Sequence, residues 1–135
     1  DLFSPGQVLH FESTGGADFP AIDELIVAPS SISGVPGPYN PGSPMSMAWS
    51  GGGGSYVELV VTAEDPNNGN AHAVTCRVPD IGGYIIPASL TAYLPSDGID
   101  KTAVFARTAA AHLEFPEDLL VIEAIAQTNW TVDLD

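Results

Sequence analysis

The amino-acid sequence predicts an all-β protein, an immunoglobulin-like antiparallel β-sandwich with one short helical turn. Three observations predict it. Apolar and polar residues alternate with a period of two in several short stretches, the mark of half-buried strands. Those stretches, about seven to nine of them, are separated by clusters of Gly, Pro, Asn and Asp, the spacing of a sandwich. Trp49 stands close to an apolar ladder, where its ring can fill the gap between two sheets. At 135 residues the chain is expected to be a single domain over 1–135, and a chain of this size buries roughly two-thirds of its unfolded surface.

Gln7 to Ser13 alternates Val8, His10 and Glu12 against Leu9 and Phe11, a first strand ended by Gly15 and Gly16. Leu25 to Val27 is a short apolar run and predicts a second. Residues 28–44 carry Pro29, Pro36, Pro38, Pro41 and Pro44 among Ser and Gly. Proline removes ladder donors, so this stretch reads as an extended connecting loop within the domain. Met45 to Val61 is the organising stretch. Met45, Met47 and Trp49 alternate with Ser46, Ala48 and Ser50, and Val57, Leu59 and Val61 follow after Gly51 to Gly54. Glycine takes positive φ freely, which predicts a hairpin here. After the turn cluster Glu64 to Asn70, Ala71 to Val78 is a strand with His72, Val74, Cys76 and Val78 on one face.

Tyr84 to Ile86 is a short strand, and Pro87 to Leu94 predicts one or two helical turns with Pro87 at the first helical position. Lys101 to Glu114 is a long strand candidate, with helix competing because of the triple Ala109, Ala110, Ala111. Pro116 to Asp118 forms the last turn. Leu119 to Leu134 alternates again and is long enough to bend or bulge. Trp49, Val57, Leu59, Val74, Cys76, Ile122 and Ala124 are the expected core.

Charge narrows the partners. Seventeen Asp and Glu stand against Arg77, Lys101 and Arg107, a net charge of −14. Such a molecule repels phosphate backbones, so nucleic acid is not an expected partner. No run of apolar residues is long enough for a transmembrane segment. Cys76 is the single cysteine, so no intrachain disulfide forms. The chain opens without a basic, apolar leader and is expected to be a mature, secreted form.

Four landmarks stand in order: PGQVLHFESTGG with DFPAID, the Trp49–Gly52 segment WSGG, the strand VTCRVPD from Val74 to Asp80, and GGYIIPASLTAYLP. Together they resemble uncharacterised extracytoplasmic, immunoglobulin-like domains of secreted proteins and lipoproteins from myxobacteria and related bacteria. The resemblance runs from about Pro5 to Trp130. It implies a fold and an extracellular or cell-surface location, with the Trp and Cys in the core, and implies no reaction.

No catalytic set is expected. His10, His72 and His112 lie on separate strands without metal-ligand spacing. Ser50 and Ser55 flank glycines outside the strand-turn-helix context of a nucleophile elbow, and Cys76 on an apolar face reads as a small core residue. The most informative polar cluster is Glu64, Asp65, Asn67, Asn68 and Asn70. Oxygen donors on a turn suit calcium, although Asn and Gly also serve any hairpin. Asp97 and Asp100 form a weaker second cluster. No other cofactor is expected.

Two functions follow. One is a structural or adhesive module of the cell exterior that assembles with protein, including its own copies as oligomers or fibres. Its contacts would be edge strands, with Gln7 to Ser13 and Leu119 to Leu134 the candidates because neither carries Lys or Pro. The other is a carbohydrate- or calcium-binding module. Exposed aromatics among Tyr39, Tyr56, Tyr84, Tyr93 and Trp130 would favour sugar, and uniformly buried ones would favour the structural role.

Overall fold

Alternation along the strands becomes burial. In the computed structural model, which describes residues 3–17, 20–115 and 120–135, with side chains described up to 111 and again from 125, nine strands and one helical turn follow one another. They are β1 (Val8–Ser13), β2 (Ile22–Val27), β3 (Gly34–Pro36), β4 (Met45–Trp49), β5 (Tyr56–Glu64), β6 (Ala71–Val78), β7 (Gly83–Ile86), α1 (Ala88–Thr91), β8 (Ile99–Phe115) and β9 (Leu120–Asp133). The protein is mostly β, and every strand pairing is antiparallel. No helix among the described residues is long and apolar enough to cross a membrane.

Two sheets share one core. The smaller has the order β3-β4-β7 and the larger β6-β5-β8-β9. On β4, Met45, Met47 and Trp49 point inward while Ser46 and Ala48 point out. On β5, Val57, Leu59, Val61 and Ala63 are all but inaccessible to solvent. Val74, Cys76 and Val78 from β6, Ile86 from β7, and Ala103 and Phe105 from β8 complete the layer between the sheets. Trp49 meets Phe105 across that layer, ring centroids 6.4 Å apart and tilted by 56°, an arrangement that aromatic quadrupoles favour. The approach is close enough that a Cβ at Gly34 would collide with the Phe105 ring.

The third sheet is a two-stranded ribbon, β1-β2. It packs beside the β8–β9 hairpin, which overhangs the larger sheet. Pairing of β8 with β5 runs only from Ile99 to Thr108, whereas β8 stays paired with β9 out to Phe115. The overhang gives the ribbon something to cover, and Ile26 and Ala28 are buried there.

Several expectations change. Met45 to Val61 is not a hairpin: β4 pairs with β3 and β7, and β5 pairs with β6 and β8. The glycine run carries the chain from one sheet to the other. Residues 28–44 are not wholly loop, because Gly34–Pro36 pairs with β4 as an edge strand, where a proline is tolerated. Pro87 caps the helical turn with extended backbone instead of opening it. Lys101 to Glu114 is strand; the alanines sit in a long ladder whose partners override helix propensity. Trp49, Val57, Leu59, Val74 and Cys76 are buried as expected. The side chains of Ile122 and Ala124, and the turn at Pro116 to Asp118, lie outside the described residues.

Candidate functional site

The most constrained chemistry in the molecule is an ion pair that sequence reasoning missed. Arg107 follows Phe105 on the inward face of β8, and its side chain is wholly buried; that of Asp80, in the turn between β6 and β7, is 2% exposed. Arg107 Nε donates to Asp80 Oδ2 at 2.8 Å and Nη2 to Oδ1 at 3.2 Å. The other donors reach main-chain carbonyls: Nη2 to Ser50 at 2.5 Å, and Nη1 to Ser31 at 2.8 Å and Ser30 at 3.3 Å. Nη1 also lies 3.1 Å from Ser30 Oγ.

Asp80 accepts twice more, from the Trp49 indole N–H at 2.9 Å and the Gly54 N–H at 3.0 Å. Burial works against the Asp80 carboxylate, but the hydrogen bonds from Arg107, Gly54 and Trp49 outweigh it and hold its pKa below the ordinary value. No buried side-chain polar atom among the described residues lacks a partner. The legible signal was a lone arginine in the inward register of a strand of small and apolar residues, in a chain with three cations.

Two of the four glycines between β4 and β5, Gly51 and Gly54, pack against this node. Gly51 has φ 81°, and a Cβ there would press on the guanidinium at 3.2 Å. At Gly54 a Cβ would lie 2.6 Å from Arg107 Cγ and 3.0 Å from the Thr108 carbonyl. The two ends of the run are therefore fitted around a buried cation, whereas a Cβ at Gly52 would meet nothing within 4 Å.

Beside the node lies a surface groove of about 650 Å³. Phe3, Pro5, Ile32 and Trp130 form its apolar lining, and Ser31, Gln127, Thr128 and Asn129 its polar lining. None of these residues is ionisable, in a protein of net charge −14. Trp130 pairs with Phe105 across the β8–β9 ladder. Because β9 is the edge of its sheet, the indole there is not sandwiched, and Trp130 remains 44% exposed. The opposite wall is held from behind: Arg107 grips the Ser30 and Ser31 carbonyls, the Thr128 hydroxyl donates to Ser30 at 3.0 Å, and Ser30 Oγ donates to Gly52 at 2.7 Å.

The other sequence candidates separate. Asp65 accepts from the Asn67 N–H at 2.8 Å, from Asn67 Nδ2 at 2.9 Å and from Asn68 Nδ2 at 2.8 Å. The Asn70 N–H donates to Asn68 Oδ1, also at 2.8 Å. These bonds, led by that of the Asn67 main chain, lower the Asp65 pKa. They tie Asp65, Asn67, Asn68 and the Asn70 main chain to one another within the turn. Asn67 also reaches Asp97 at 3.4 Å, while Asp100 stands apart with φ 46°. Among the described residues no three His, Cys, Asp or Glu side chains are grouped to hold a metal.

His10 bonds Asp23 at 2.6 Å on the exposed ribbon, and His72 is half-buried on β6. The side chain of His112 is outside the described residues. Cys76 is buried, and burial raises its thiol pKa. Of the aromatics, Tyr39 is half-buried with its hydroxyl on the Pro95 carbonyl, and Tyr56 lies under Arg77. Tyr84, Tyr93 and Trp130 are exposed.

Comparison with protein-family models, with curated proteins and with solved structures finds no match.

Proposed function

We propose that the protein is a non-catalytic, extracellular adhesive module of immunoglobulin-like type that binds neutral carbohydrate in the Trp130 groove. The observation that carries this reading is a half-exposed indole in a groove whose other lining residues are apolar or uncharged polar. Sugar rings combine a flat apolar face with a rim of hydroxyls, so they need a planar aromatic surface and uncharged donors and acceptors. An ionic ligand would find no counter-ion in the lining. The fixed Ser30–Ser31 wall lowers the ordering cost of binding. The strand order supports the immunoglobulin-like part. β3, β4 and β7 stand where strands A, B and E of that class would, and β6, β5, β8 and β9 where C′, C, F and G would. The resemblance to extracytoplasmic bacterial domains supports the location.

The test is titration with a panel of neutral oligosaccharides (cello-, xylo-, manno- and malto-series) beside an anionic oligogalacturonide, read by calorimetry and tryptophan fluorescence. At least one neutral series is expected to bind and the anionic one is not. Trp130→Ala should weaken binding about tenfold or more, equivalent to about 1.4 kcal/mol, and Trp130→Phe should retain most of it. A wild type that binds none of the panel, or a Trp130→Ala protein that binds equally well, would overturn the reading.

A second reading, self-association through edge strands, draws support from β9. Its far side has no backbone partner among the described residues, and Ile125 on it is half-exposed.

A further inference from the structure

Four consecutive residues of β9, Gln127, Thr128, Asn129 and Trp130, line the groove. Successive side chains of a strand point to opposite faces of the sheet. One groove reached by all four therefore follows the edge of the strand, where main-chain groups meet it as well as side chains. The hydrogen-bond register says which groups these are. β8 lies between β5 and β9, so its residues turn their N–H and C=O alternately to one and to the other. The Thr108 carbonyl accepts from the Ser55 N–H at 2.6 Å, on the β5 side, and the Lys101 carbonyl from the Leu134 N–H at 2.9 Å, on the β9 side. Ala106 and Thr108 thus face β5. Their partners on β9, Asn129 and Gln127, turn their own main-chain groups away from β8, to the free edge. No main-chain partner meets them there among the described residues.

From this we infer that the saccharide lies lengthwise along β9, its hydroxyls bonded to the N–H and C=O of Gln127 and Asn129 and one ring on the Trp130 indole. The inference deepens the carbohydrate reading of the groove and rests on it. The chemistry matches. A hydroxyl both accepts and donates, so neighbouring hydroxyls of one ring take up the N–H and C=O that an edge residue presents side by side. Gln127 and Asn129 stand about 6.8 Å apart along the strand, and the four lining residues span about 13 Å, more than one pyranose ring covers. The ligand class is therefore a linear neutral chain of two or more sugar units, not a free monosaccharide. An added protein strand would use the same main-chain groups, but the indole and the Ser31 and Thr128 side chains beside them suit a sugar.

Backbone-amide NMR of the whole chain, titrated with one- to five-unit members of the neutral series, tests this without mutation. The Gln127 and Asn129 N–H signals should shift more than those of Thr128 and Trp130, whose N–H groups face β8. Affinity read by calorimetry should rise about tenfold or more from one unit to three and then level off. Proline deletes an N–H that an edge position can spare. Asn129→Pro and Gln127→Pro should each bind about tenfold more weakly than Asn129→Ala and Gln127→Ala, which keep it. If sugar binds and Trp130→Ala weakens it, yet the four amides shift alike and the Pro and Ala variants bind equally, this inference is overturned and the groove reading stands. Proline variants that lose only salt-dependent assembly in sedimentation, with sugar affinity equal to that of the Ala variants, assign the edge to strand pairing and also overturn it. A wild type that binds no member of the series overturns both.

Discussion

At Arg107 and Asp80 the physics is that of a charge that must not be left alone. Taking both ions out of water costs several kcal/mol each, and their mutual attraction offsets this only because every remaining donor finds a carbonyl or hydroxyl. Removing one partner breaks that balance. Asp80→Asn should destabilise the protein by about 3–5 kcal/mol, measured by urea unfolding, even though the amide oxygen can still accept from Trp49. The pH dependence gives a second signature. The folded-state pKa of Asp80 is lowered, so the folded protein takes up this proton less readily than the unfolded chain. The stability it contributes is present above the ordinary value of 3.8 and is lost as pH falls below it. Asp80→Asn should flatten that part of the acid limb. By contrast Arg77, 3.7 Å from Glu58 and largely exposed, contributes little.

At the scale of elements, the edge of β9 is the exposed liability. Unpaired edges are commonly blunted with lysine or proline, and β9 has neither. If edge pairing joins copies, assembly should appear as salt screens the acidic residues, and Ile125→Lys should suppress it without disturbing the core, because Ile125 is half-exposed. Analytical ultracentrifugation at low and high salt measures this. Unchanged sedimentation of the wild type at both, or equal assembly of the Lys variant, counts against the edge. The glycine crossing between β4 and β5 behaves differently from a loop. Gly51 and Gly54 abut the buried Arg107 side chain, so substitution at these two positions should act on the core, while Gly52 has open space around it.

For the whole molecule, burying Arg107 leaves only Arg77 and Lys101 to moderate an acidic exterior, and both lie over tyrosine rings. Self-repulsion of that exterior destabilises the compact state. Raising sodium chloride from about 0.01 M, where the screening length is near 30 Å, to about 0.15 M, where it is near 8 Å, should raise the melting temperature, by roughly 3–6 °C for each kcal/mol of repulsion relieved. Calorimetry at constant pH checks this, and a melting temperature that falls with salt would contradict it.

What the sequence determined by itself was local. Period-two alternation needs only neighbouring residues, so the strands on either side of the glycine run, the inward set from Met45 to Cys76 and the acidic character were all legible in it. The short helical turn was legible as well, because Pro87 marks where it starts. Which strand pairs with which was not. Apolar ladders are interchangeable as partners, and the hairpin suggested by Gly51 to Gly54 lost to pairings made with distant strands. Tertiary structure alone brought Asp80 to Arg107, 27 residues apart in the chain, because a charge pair forms wherever folding excludes water and carries no periodic signature. It also left Trp130 half open: alternation places that ring inward, and the position of β9 at the edge of its sheet leaves no further strand beside it among the described residues.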